Sequence, residues 1–185
     1  HLYERILLDP SLSLCDAYLE QFALGPGAQR VQDLRFEQEA WIVLRELGPK
    51  ASSAELIAFI KRWRGTEADL QARAWVARKA VTQAEVLIDA GRPDEALARL
   101  EEARRWDAEV DTRVAEGRAR DALGRDLASA ADLDAALKEL EAARSLGSEN
   151  GDLLGSLYLE RARTNFLDGD PAGGMRALEL ARARQ

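Results

Sequence analysis

The feature that most constrains this chain is an internal repeat in its second half. Glu95-Ala96-Leu97-Ala98-Arg99-Leu100-Glu101-Glu102-Ala103-Arg104 lines up with Ala135-Ala136-Leu137-Lys138-Glu139-Leu140-Glu141-Ala142-Ala143-Arg144. Both line up with Gly173-Gly174-Met175-Arg176-Ala177-Leu178-Glu179-Leu180-Ala181-Arg182. A small residue, an apolar one, then Leu, Ala and Arg recur at the same places. Ala96 precedes Ala136 by 40 residues, and Ala136 precedes Gly174 by 38. Ala96, Leu97, Leu100 and Ala103 share one helical face, while Arg99, Glu101, Glu102 and Arg105 lie off it. Each apolar CH₂ left in water costs about 0.8 kcal/mol relative to burial. One such unit cannot bury its stripe alone, so neighbouring units must stack. Helices joined by short loops do this by packing antiparallel.

Glycine and proline punctuate the chain at Asp9-Pro10, Gly25-Pro26-Gly27, Gly48-Pro49, Gly65, Gly91-Arg92-Pro93, Gly124, Gly147 to Gly151 and Gly169-Asp170-Pro171. Between them Ala, Leu, Glu and Arg dominate, residues that lose little entropy in a helix. Strict alternation and β-branched runs are absent, so strands have no support. The pattern predicts helices over 2–8, 11–23, 27–47, 53–64, 67–90, 93–106, 109–123, 127–146, 152–168 and 171–184. Ser52 with Glu55 has the capping-box spacing, and Thr66 with Asp69 repeats it with a shorter acid. Pro93 and Pro171 suit a first helical turn. A stop near Gly124 and a run-on through Leu127 are both compatible with the residues from Gly124 to Asp132.

The first half carries a looser repeat. Ala17-Tyr18-Leu19-Glu20-Gln21-Phe22 matches Ala58-Phe59-Ile60-Lys61-Arg62-Trp63 at an offset of 41. Longer segments bearing Ala40-Trp41 and Ala74-Trp75 follow each copy. Two parts are therefore expected, 1–65 and 66–185, the second with about three units and both continuous in one array.

Gly91-Arg92-Pro93-Asp94-Glu95-Ala96, with Leu100 and Ala103, resembles the turn and second helix of a tetratricopeptide repeat. Gly169-Asp170-Pro171, Gly174, Leu178 and Ala181 resemble the same elements. The Tyr-x-x-x-Phe stretch of the first half resembles degenerate repeats of that kind found in envelope-assembly and signalling proteins. The resemblance implies an all-α fold of antiparallel helix hairpins stacked into a right-handed superhelical solenoid. It implies a non-catalytic scaffold that binds a protein or peptide along its first helices. Carried over residue by residue, the groove-facing candidates are Arg78 and Glu85, Arg118 and Asp121, and Arg163 and Phe166. These units exceed the family's usual length of about 34 residues, and a HEAT-like helix pair is the alternative. The family's Lys/Asn carboxylate clamp is missing, since Val81, Glu85 and Leu159 stand at the matching places.

Charge and side-chain inventory narrow the function. The net charge is −7, and residues 66–185 hold 18 Lys/Arg against 24 Asp/Glu. With no basic patch, nucleic acid and anionic membrane are disfavoured partners. His1 is the only histidine and Cys15 the only cysteine, so no Ser-His-Asp or Cys-His pair can form. No metal-ligand spacing or phosphate loop is present, so no catalytic residue, cofactor or metal is expected. Cys15 lies among Leu12, Leu14, Tyr18 and Leu19 and reads as a buried small hydrophobe. Trp41 and Trp75 read as core, whereas Trp63 and Trp106, near helix ends, read as partly exposed. The last helix carries Met175, Ala177, Leu178 and Leu180 on a broad face, which makes self-association through it an expectation. No apolar stretch reaches membrane length. The chain starts at His1 without a native Met, so an excised or processed product, cytoplasmic or periplasmic, is expected. The alternative to a binding scaffold is a structural, oligomerising or regulatory segment of a larger signalling or envelope-assembly protein.

Overall fold

The computed structural model describes residues 1–184. They form ten helices and, among the described residues, no strand. The order is α1 (Leu2–Leu8), α2 (Leu12–Phe22), α3 (Ala28–Leu47), α4 (Ser53–Arg62), α5 (Glu67–Asp89), α6 (Pro93–Trp106), α7 (Arg113–Ser129), α8 (Leu133–Ser145), α9 (Gly151–Leu167) and α10 (Pro171–Arg184). The chain forms two compact units, one ending at Ala77 and the other beginning at Arg78, so the boundary falls inside α5.

In the first unit, α1, α2 and α3 close over Ile6, Cys15, Tyr18 and Val31. The Tyr18 ring lies 5.7 Å from Tyr3 and 5.2 Å from Phe22, and its hydroxyl donates to the Pro26 carbonyl at 2.5 Å. Gly27 starts α3 at φ +88°, with the Tyr3 ring 2.5 Å from where a Cβ would stand. Only glycine accepts both that conformation and that approach. Ser52 and Glu55 form the reciprocal capping box at the start of α4. Thr66 and Asp69 form a shorter version: Thr66 Oγ1 accepts from the Asp69 amide at 3.0 Å, and Asp69 accepts from the Gly65 amide at 3.1 Å. Trp63 departs from expectation. It is 3% exposed, because its ring stacks on Phe36 at 4.7 Å and on Phe59 at 6.3 Å.

In the second unit each helix packs against its neighbours in the chain. Ala84, Ala96, Leu100, Ala115 and Ala119 form one core cluster. Ala136, Leu137, Leu140, Leu154 and Leu157 form the next. The helix pairs α5/α6, α7/α8 and α9/α10 are closed by one turn used three times. The amides of Arg92, Asp132 and Asp170 donate to the carbonyls of Leu87, Leu127 and Asn165, at 2.9, 3.0 and 2.8 Å. The preceding amides of Gly91, Ala131 and Gly169 donate to Ile88, Ala128 and Phe166. These paired bonds satisfy the last carbonyls of a helix by way of one left-handed residue, the Schellman pattern.

The turn between α7 and α8 therefore lies at Ala130 to Asp132, not beside Gly124, and α7 runs on to Ser129. Gly124 is helical because α8 crosses there: an added Cβ would sit 2.5 Å from Leu140 Cγ. The glycine serves close approach, not termination. The start of α7 also moves, from an expected 109 to Arg113. Asp107 accepts from the Glu109 amide and Asp111 from the Arg113 amide, holding 107–112 in side-chain-capped turns.

Ala131 occupies the left-handed position that Gly91 and Gly169 fill in the other two turns, at φ 62°. A Cβ there costs about 1–2 kcal/mol. Ala131→Gly relieves that strain, less the added freedom of glycine in the unfolded chain. It is expected to stabilise the protein by about 0.5–1 kcal/mol, read as a raised midpoint in urea unfolding. A lowered midpoint would reject the turn assignment.

Candidate interaction surface

The sequence candidates sit on the first helices of the second unit. Arg78 and Glu85 are exposed on α5, two turns apart on one stripe. Asp89 continues the stripe and accepts from Arg118 of α7 at 2.8 Å. The structure thus joins Arg118 to the α5 stripe through Asp89, a residue that carries no sequence signal for this role. Asp121 is half-buried and holds Arg125 of its own helix at 2.8 Å. Arg163 is exposed on α9. Phe166, one turn on, spreads its ring over α10: an added Cβ at Gly174 would meet it at 2.7 Å. Part of Phe166 is therefore structural, although the residue is 44% exposed.

Beneath this surface runs a chain of ion pairs across three helices. Glu116 of α7 accepts from Arg104 of α6 and, at 2.9 Å, from Arg120. Arg120 also donates to Glu139 of α8 at 2.6 Å. Glu116 is 8% exposed. Burial pushes its carboxyl pKa up, but hydrogen bonds and charge from Arg104 and Arg120 outweigh this and hold it below the usual carboxylate range. Burial pulls Arg120 down, and its bonds to Glu116 and Glu139 bring it above the ordinary guanidinium value. A second anchor joins α8, α9 and α10: Glu141 accepts from Tyr158 at 3.0 Å and from Arg184 through two bonds at 2.9 and 3.0 Å.

Each unit has an open cavity. In the second, about 700 Å³ is lined by Arg125, Arg144, Asn150, Asp152 and Arg184 among others. Its groups serve the fold: Arg125 is held by Asp121, Arg184 by Glu141, and Asn150 donates to the Leu140 carbonyl at 2.8 Å. In the first, about 540 Å³ is lined by residues including Arg30, Phe36, Glu37, Trp41 and Arg64. There Glu37 caps α5, accepting from the amides of Glu67 and Ala68 at 2.9 and 3.3 Å. Cys15 is fully buried; burial pushes its thiol pKa up and Asp16 adds to this, so the thiolate is suppressed. Among the described residues no group of His, Cys, Asp and Glu could hold a metal ion, and no helix is long and apolar enough to cross a membrane.

Compared with protein-family models, with curated proteins and with solved structures, the chain matches none. The family resemblance therefore rests on the residues that carry it.

Proposed function

We propose that the second unit is a stack of three tetratricopeptide-like hairpins, part of a solenoid that serves as a non-catalytic scaffold for a protein or peptide. The observation that carries this reading is the hairpin repeated in triplicate. The same double-bonded turn joins α5 to α6, α7 to α8 and α9 to α10. A small residue, Ala84, Gly124 or Ala162, stands buried on each first helix at the corresponding distance before that turn. Stacked hairpins offer a long surface at little cost in loops. The partner lies along the first helices, where Arg78, Glu85, Arg118 and Arg163 stand exposed.

The test is affinity capture with the wild-type chain and with Arg78→Glu/Arg163→Glu, both read by quantitative mass spectrometry. The partner recovered by the wild type is expected to fall at least about tenfold with the variant, a loss of about 1.4 kcal/mol. Equal recovery removes the first-helix assignment. A second reading, a structural or oligomerising segment of a larger protein, draws on the exposed Met175 and Leu180 of α10. A constant monomer mass across a wide concentration range in analytical ultracentrifugation would sink self-association.

A further inference from the structure

The second helix of each hairpin carries one set of residues toward the first helix of the next hairpin. The set is Leu97, Leu100, Glu101 and Arg104 on α6, and Leu137, Leu140, Glu141 and Arg144 on α8. On α6, Leu97 and Leu100 pack in the cluster with Ala115 and Ala119 of α7, and Arg104 takes Glu116. On α8, Leu137 and Leu140 pack with Leu154 and Leu157 of α9, Glu141 takes Tyr158, and Arg144 lies against the first residue of α9, Gly151. The corresponding residues on α10 are Met175, Leu178, Glu179 and Arg182. The opposite side of α10, with Gly173, Gly174, Ala177 and Ala181, is buried. Met175 is 54% exposed, Glu179 and Arg182 are exposed, and among the described residues neither has a charged partner.

We propose that this face of α10 receives an amphipathic helix from a partner protein. That helix is built like α7, with small or aliphatic residues four apart and a carboxylate beside them for Arg182. The argument is continuity with an interface the molecule already makes twice. A free helix exposing Met175 has no use for a Leu-Glu-Arg set whose counterparts on α6 and α8 are committed to a neighbouring helix. A second copy fits less well. Two α10 helices meeting antiparallel about a twofold axis between Leu178 and Glu179 would set each Arg182 against the other's Met175, with no carboxylate opposite. An α7-like helix supplies both halves: a stripe like Ala115 and Ala119, and an acid like Glu116. The face is separate from the stripe of Arg78, Glu85, Arg118 and Arg163, so the two surfaces are tested independently.

The probe is a fluorescent, end-blocked peptide of residues 113–129, titrated into the full chain and followed by anisotropy. Saturable binding is expected. Met175→Asp and Arg182→Glu in the chain are each expected to weaken it at least about tenfold. A peptide carrying Glu116→Arg is expected to recover affinity for the Arg182→Glu chain but to bind the wild type poorly. Unchanged thermal unfolding of both variants shows that α10 remains folded. Absence of saturable binding, or binding indifferent to both substitutions, overturns the proposal. So does a wild-type mass that doubles with concentration while Met175→Asp stays monomeric, since the occupant is then a second copy.

Discussion

Leu140→Ala is expected to destabilise the protein by about 3 kcal/mol, within the range for removing a buried leucine. Leu140 is fully buried, lies over Gly124 at the α7/α8 crossing, and belongs to the cluster that α8 shares with α9. At roughly 2–4 °C per kcal/mol for a chain of this size, the melting temperature should fall by about 10 °C. The informative experiment is the cycle with Gly124→Ala. Alone, that change forces a methyl to 2.5 Å from Leu140 Cγ and 3.2 Å from the Leu140 amide nitrogen, which is backbone and cannot swing aside. The overpacking costs about 1–3 kcal/mol, offset by about 1 kcal/mol of helix propensity, for a net loss of about 1 kcal/mol. With Leu140→Ala in place the side-chain clash disappears and only the propensity gain remains. Gly124→Ala should then turn stabilising, with a coupling energy of about 2 kcal/mol by circular dichroism melts. Additive effects of the two changes would mean that the helices do not cross at this pair.

The second large effect is at Glu116. Its carboxylate accepts from two guanidiniums and ties α6, α7 and, through Arg120, α8. Glu116→Gln keeps the shape but removes the charge, and is expected to cost about 2 kcal/mol at pH 7, the range for hydrogen bonds to a charged group. The pH dependence has a definite sign. Glu116 has a folded-state pKa below its ordinary value of 4.5. Its stabilisation is therefore present above pH 4.5 and is lost as pH falls through the lower folded value. The gap between wild type and Glu116→Gln should be constant from neutral pH to near 5 and close progressively below 4.5. Urea midpoints measured at a series of pH values test this. A gap that persists undiminished under strong acid would show that shape, and not charge, holds the junction.

Much of the local structure is legible in the sequence because it depends on neighbours along the chain. Pro93, the Ser52–Glu55 capping box and the helical stripe of Ala96, Leu97, Leu100 and Ala103 all announce themselves within a few residues. Even the displaced α7/α8 turn is implicit in the repeat, for Ala130-Ala131-Asp132 stands 40 residues after Ala90-Gly91-Arg92. Gly124 obscures it, since a glycine required for packing and one required for a turn look alike until the helix above it is known. Trp63 misleads for a related reason. Its place at the end of α4 suggests a wet ring, and only Phe36, 27 residues away, buries it.

The candidate surface divides along the same line. Exposure of Arg78, Glu85 and Arg163 follows from their places on the helical wheel. The pairing of Arg118 with Asp89, 29 residues apart, and of Arg104 with Glu116 does not. A charged residue has the same local signature whether it faces water or a guanidinium on another helix, because the decision belongs to the register between helices. The sequence by itself determined that the chain is helical, where most helices begin, and that its second half recurs with a period near 40. Tertiary structure alone decided which small residues lie under which leucines, which charges became a junction, and which copy of the Leu-Glu-Arg face is left open. Periodicity is a local property written along one chain; contact depends on how close two helices can come, and side-chain volume at the crossing sets that distance.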